Sequence, residues 1–261
     1  MQELDENSVA RLLPDLASSG ASLIPEVRLQ EPIAFSGVLA NRLLASLPGP
    51  DLSRLLPYLH PVSLTDGEDI LRSGEAADSV YFPESAVISH LHLLEDGSTT
   101  AATIIGNEGM VGLSSILDAR PAAYSSHVTV GGRATRVATN VIQKEFARGG
   151  ALQRIILAYA HARLTQLSQQ AVCNGRHLMF GRLCTWLLMV HERAVDQPLR
   201  LTHERIAQHL GARRAGITSA CKQLRAESVI TYQRGLIVVS DQPRLATLAC
   251  ECYAMLQSLS A

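Results

Sequence analysis

The sequence predicts an α+β chain with an antiparallel β-roll of short strands at its amino end, one long helix, and a small carboxy-terminal domain of helices closed by a hairpin. Three observations predict it. From Val62 to Thr139, short β-branched runs ("DILRSGE", "SVYFPESAVISHLHLL", "SHVTVGGRATRVAT") alternate with turn residues, the texture of a small antiparallel roll. After Asn140 the apolar period becomes helical. Near residue 206, basic side chains crowd into "IAQHLGARRAGITSACKQL" while its apolar residues keep helical spacing.

A chain of 261 residues holds one large core or two small ones, and two are expected here. The formal net charge of -1 hides an asymmetry. Residues 1–172 carry 12 Lys+Arg against 18 Asp+Glu, residues 173–239 carry 10 against 4, and the last 22 residues carry 1 against 2. A basic segment joined to an acidic one suits a protein in which a single domain meets a polyanion. The start "MQELDENSVARLL" is acidic where a secretory signal is basic and then apolar, and no apolar run reaches membrane length. A cytoplasmic protein without a membrane span is expected, and its five cysteines read as reduced thiols filling core space.

The elements follow in order. Residues 1–32 mix Ser, Gly, Pro and charge without a period and read as a flexible arm. Residues 33–140 form the roll. Two short helices broken at Pro48-Gly49-Pro50 lead into it, and hairpins are expected at Asp96-Gly97 and Gly131-Gly132. Residues 141–173 form the long helix, with Ile156, Ala160, Leu164, Leu167 and Ala171 on one stripe and Leu152, Ile155 and Tyr159 on a second. A helix apolar over that width buries one side on its own domain and offers the other to a partner, making a homodimer the expected assembly.

Residues 174–240 are the basic domain. Thr202 can cap "HERIAQHL" through its hydroxyl, Ile206 and Leu210 face inward, and Gly211 marks a sharp turn. A second helix then sets Ile217, Ala220, Cys221 and Leu224 inward and Arg213, Arg214, Thr218, Ser219 and Lys222 outward. Small residue, glycine turn and apolar anchor are the packing requirement of a helix-turn-helix. "VITYQRGLIVVS" adds a hairpin wing. An arginine at the amino end of such a helix reaches a guanine edge with two hydrogen bonds and a lysine further along neutralises a phosphate, so the surface fits the major groove of double-stranded DNA.

The tail, residues 241–261, reads as a helix. Residues two apart on a helix point to nearly opposite sides, so Cys252 joins Leu245, Leu248 and Leu256 on a core face while Cys250 looks elsewhere, and no metal is expected there.

With its roll, long helix and "LTHERIAQHLGARRAGITSACKQL", the chain resembles the Crp/Fnr family of bacterial transcription regulators from about residue 38 to 240. The resemblance implies a dimer along the long helix, a roll that senses a small effector, paired recognition helices on a palindromic operator, and RNA polymerase as a further partner. It assigns Thr202 and Lys222 to phosphates and Arg214 to a base. Ala215 and Ser219 stand where a glutamate and an arginine often read bases. In cyclic-nucleotide members a Gly-Glu pair holds the ribose and an Arg-Ser or Arg-Thr pair the phosphate. Here Gly109-Met110 and Ser125-Ser126 stand there, with Arg120 as the nearby cation. A thioether and a serine hydroxyl replace neither group, so cyclic AMP is not the expected effector. Iron-sulfur relatives carry clustered cysteines near the amino end, and the first cysteine here is Cys173. His90, His92 and His127 could suggest haem but read as polar residues of strands, so no cofactor is expected. No phosphate loop, HExxH or nucleophile turn marks an enzyme. An effector module acting through protein partners is the competing class, and a basic outward face argues against it.

Overall fold

The computed structural model describes residues 40–118, 120–194 and 198–259; the arm expected over residues 1–32 lies outside them. The lead-in helices are α1 (Arg42–Ala45) and α2 (Gly49–Leu55), followed by a 3-10 turn at Leu56–Tyr58. Asn41 caps α1, its Oδ1 accepting from the amides of Leu43 at 3.1 Å and Leu44 at 3.3 Å. Its buried Nδ2 donates to the carbonyls of Pro83 and Gly109, so one side chain starts the helix and fastens it to the roll.

Seven strands build the roll: β1 (His60–Leu64), β2 (Asp69–Leu71), β3 (Ser79–Pro83), β4 (Val87–Leu93), β5 (Thr99–Ile105), β6 (Ser125–Val130) and β7 (Gly132–Ala138). They pair antiparallel in two sheets, β1-β7-β3 and β2-β6-β4-β5. The inner faces bury Leu64, Ile88, Ile105, Val128 and Ala134. The expected hairpin at Asp96-Gly97 joins β4 to β5, with Gly97 at φ +80 and the Ser98 amide donating to Asp96. Gly131-Gly132 is a different device from the expected hairpin. β6 and β7 belong to different sheets, and the glycines carry the chain between them. A Cβ on Gly132 would sit 2.7 Å from the Ala86 amide nitrogen and one on Gly131 2.9 Å from the Leu64 carbonyl, so the crossing is passable only without side chains. Between β5 and β6 the chain also forms a short helix, α3 (Leu113–Leu117).

The helix expected over residues 141–173 is two: α4 (Thr139–Ala147) and α5 (Ala151–Arg176). Gly149 and Gly150, at φ +71 and +102, end the first and redirect the second. One flank of α5 buries Leu152, Ile156 and Tyr159 against Leu44, Phe82, Met110 and Ile142. Leu157, Leu164, Leu167 and Val172 stay exposed, Leu164 at 68%. The expected stripe is therefore divided, with Ile156 in the core and Leu164 and Leu167 outside it.

The carboxy-terminal part contains α6 (Met179–Arg193), β8 (Leu199–Arg200), α7 (His203–Leu210), α8 (Arg214–Ala226), β9 (Ile230–Gln233), β10 (Leu236–Val239), α9 (Gln242–Leu248) and α10 (Cys252–Ser258). Leu183, Leu187, Ile206, Leu210, Ile217, Leu224 and Ile237 fill its core. It leans on the roll through α7 against β5 and through a buried ion pair, Arg193 Nε to Glu108 at 2.9 Å. Burial works against the Glu108 carboxylate, yet the Arg193 guanidinium holds its carboxyl below the ordinary range. The tail is not one helix. At Ala249 the backbone is extended, with φ -69 and ψ 155, so Cys250 precedes α10 and the two cysteines are not set on opposite sides of one continuous helix.

Candidate nucleic-acid interface

Helix α7 begins where Thr202 Oγ1 accepts from the Arg205 amide at 3.2 Å, and it ends at Gly211 in the left-handed region, φ +56. Arg182 from α6 donates to the Leu210 carbonyl at 2.5 Å, satisfying an end carbonyl left free by the turn. The turn lets α8 cross closely over α7, with Ile217, Ala220, Cys221 and Leu224 all buried. This leaves Arg213, Arg214, Ala215, Ser219, Lys222 and Arg225 exposed.

The predicted contact residues do not all stand alike. Arg214 is 72% exposed and only loosely faces Glu204, at 3.9 Å; an exposed pair at that distance holds neither side chain firmly. Thr218 is half-buried and already engaged. Its hydroxyl donates to the Arg214 carbonyl at 3.0 Å, leaving the oxygen to accept from His203 Nδ1, also 3.0 Å away. The His203 ring stacks on Tyr232 of the wing at 4.4 Å. Burial, and then Arg214, hold His203 below its ordinary pKa, which suits a neutral ring in this role. Thr218 thus ties the two helices to the wing. Arg225, exposed in the last turn of α8, was not singled out from the sequence, whereas the wing tip Gln233-Arg234-Gly235 was expected to touch the duplex backbone, and Arg234 is exposed there. Arg234 at φ +51 and Gly235 at φ +80 form the two-residue turn of β9–β10. The left-handed pair matches the strand twist and leaves the arginine at the apex.

Two family models match the chain, a cyclic nucleotide-binding domain over residues 61–148 and a Crp-like helix-turn-helix domain over residues 181–248. Together they cover the roll and the domain built around α7 and α8. The chain belongs to the Crp/Fnr family. It is a Crp-like transcriptional regulator with a helix-turn-helix DNA-binding domain. A CRP-like cAMP-activated global transcriptional regulator of Mycobacterium tuberculosis is 27% identical over 209 residues, 76% of this chain and 92% of that protein. FixK2 from Bradyrhizobium japonicum shares the fold with a TM-score of 0.62 at 19% identity, over 74% of this chain and 98% of that one. A crp/fnr-family regulator from Eubacterium rectale does so at 0.63 and 18%, over 80% and 98%.

The roll of this Crp/Fnr protein does not gather the five residues expected at an effector pocket. Met110 is 1% exposed and packs in the core with Phe82 and Ile156. A Cβ on Gly109 would lie 2.5 Å from the Tyr159 hydroxyl. Ser126 is buried with Oγ 3.0 Å from His90 Nδ1, while Ser125 Oγ accepts from the Ser73 amide at 3.1 Å. Arg120 is exposed and paired with Asp118 at 2.8 Å. Met110 is a correction in kind: the short helix begins at Gly112-Leu113, three residues on, and the thioether is core filling. The haem candidates have protein partners as well. The Tyr124 ring lies tilted against that of His90 at 4.1 Å and 5.9 Å from that of His92. His127 Nδ1 pairs with Asp69 at 2.8 Å. A cavity of about 40 Å³ lies elsewhere, between Thr103, Gln166, Arg182, Trp186 and His209. That is room for a water or two and too little for a nucleotide.

Histidine and cysteine do converge at one place. Among the described residues, Cys173, His177, Cys250 and Cys252 bring their ligand atoms within 4.8 Å of one another.

Proposed function

We propose that this regulator acts as a homodimer on an inverted-repeat operator, that Arg214 reads a base, and that Thr202, Arg213, Ser219 and Lys222 position the helix on phosphates or neighbouring edges. The observation that carries the reading is the outward face of α8: cations exposed on a helix whose other face is anchored by Ile217, Ala220, Cys221 and Leu224. Arg234 at the wing tip reaches the same duplex. Thr218 acts through His203 and Tyr232, keeping the wing at its angle. Pairing along the exposed Leu157, Leu164, Leu167 and Val172 of α5 removes that apolar strip from water and relates two α8 helices by a two-fold axis, so half-sites lie about one turn of DNA apart.

Cyclic AMP is not the effector in this reading. The cation expected to stand in at the phosphate site, Arg120, is a surface partner of Asp118, and the ring of Tyr124 lies 4.1 Å from that of His90, whose Nδ1 meets Ser126 Oγ at 3.0 Å. A cyclic phosphate enclosed there without its ion partner would cost several kcal/mol in desolvation. An unidentified small effector and RNA polymerase remain the other partners, in the cytoplasm.

Selection of bound duplexes from a random pool tests the proposal, and an inverted repeat is the expected product. Leu164→Glu with Leu167→Glu should sediment as a monomer and lose roughly 10²- to 10⁴-fold in operator affinity as the second contact is lost. A dimer that survives both charges would move the interface. Calorimetry with cyclic AMP should give no saturable heat; micromolar binding would overturn the sensor reading.

A further inference from the structure

We propose that Cys173, His177, Cys250 and Cys252 bind one thiophilic divalent metal ion of the zinc type, clasping the end of the long helix to the tail. Cys173 and His177 lie four residues apart, one turn along a single face at the end of α5. Cys250 and Cys252 bracket the start of α10, and the extended backbone at Ala249 turns both sulfurs toward α5. Cys173 Sγ is 3.5 Å from Cys250 Sγ, and Cys252 Sγ is 3.4 Å from His177 Nδ1. Zinc bound to three sulfurs at about 2.3 Å and one nitrogen at about 2.0 Å needs tetrahedral edges of about 3.5 to 3.8 Å. The two measured edges already match, and the 4.8 Å limit on all of them leaves only a small contraction. An iron-sulfur cluster would spread the same ligands much farther apart, so a single ion is the better fit.

The surroundings are those of a ligand set. His177 Nε2 lies 3.5 Å from Glu251 Oε1, the carboxylate–histidine pairing that orients the ring of a metal-binding histidine. The Gln169 amide donates to Cys252 Sγ at 3.0 Å, and the Thr185 hydroxyl lies 3.1 Å from Cys250 Sγ. Cys173 and Cys252 are each 1% exposed and Cys250 is half-buried, so the ligand atoms sit largely out of water, as those of a structural site do. All four positions come from the protein, which makes the site a closed, structural one. It sits at the hinge, where α5 stops at Arg176 and α6 starts at Met179, so the ion would fix the angle of the DNA-binding domain on the dimerisation helix.

The test uses the full chain purified under reducing conditions. One zinc per chain by elemental analysis is expected. Cobalt added after chelation should give the visible bands of a tetrahedral thiolate site. Cys250→Ser and His177→Gln should each weaken cobalt binding by more than the roughly 10- to 100-fold typical of losing an outer partner. Cys221→Ala, in a buried cysteine outside the cluster, should leave binding unchanged. Wild-type protein that takes up neither zinc nor cobalt would overturn the proposal. So would Cys250→Ser binding cobalt as wild type does, or a Cys173–Cys250 disulfide mapped in freshly purified, metal-free protein.

Discussion

The outward face of α8 and the expected pocket of the roll were read from the same sequence with the same reasoning, yet they came out differently. Of the six named DNA-contact positions, Thr202 caps α7 and Arg213, Arg214, Ser219 and Lys222 lie exposed at or on α8, while the Thr218 hydroxyl is engaged by the Arg214 carbonyl and His203. In the roll, Met110 packs in the core, Arg120 pairs with Asp118 on the surface, and Ser125 and Ser126 meet Ser73 and His90. The difference lies in range. A helix face is set by residues three and four apart, whereas a pocket in a roll depends on strands tens of residues apart and on which sheet each joins. Gly131-Gly132, glycines of a sheet crossing and not of a hairpin, show how one local signal supports two topologies.

If Met110 is core and not pocket, Met110→Ala should cost about 2–5 kcal/mol of stability by denaturant unfolding, through the cavity it leaves. A loss below about 1 kcal/mol would return the side chain to a ligand role.

The roll also meets the DNA-binding domain at His209, stacked on Trp186 at 5.0 Å, with Nε2 3.5 Å from the Thr129 hydroxyl. Burial, then His127 and Arg205, lower its pKa to about 3. The folded state therefore prefers the neutral ring. Its contribution is complete above the unfolded value near 6.5 and is lost as pH falls from there toward 3, by up to about 1.4 kcal/mol per unit. His209→Gln should flatten the acid limb of a stability–pH curve; an unchanged slope between pH 6 and 4 would break the inference.

On the DNA side the expected effects are smaller and leave the fold intact. Arg214→Ala should cost about 1–3 kcal/mol of operator binding and relax discrimination at one base pair per half-site. Lys222→Ala should weaken all sequences alike and reduce the salt slope by about one per recognition helix. Unchanged discrimination in Arg214→Ala would mean that α8 is not the reading helix.

Much of the fold was legible because its signals are local. The hydroxyl of Thr202, the left-handed Gly211, the inward Ile217 and Leu224, and the turn at Asp96-Gly97 act within a few residues of themselves. Partly legible was α5: its two apolar flanks were visible in the sequence, but which flank the roll would cover was not, and Ile156 went inside while Leu164 stayed out.

By itself the sequence determined the order of the elements, the separation of charge and the recognition helix, since each follows from spacing along one segment. The tertiary structure alone decided the place of Met110, the engagement of Thr218 and the meeting of Cys173 and His177 with Cys250 and Cys252. The physical reason is the same in each case. Contacts between residues 15 to 79 positions apart depend on how strands cross and where a helix breaks, and a single extended residue at Ala249 was enough to turn two cysteines, separated on a continuous helix, toward a common centre.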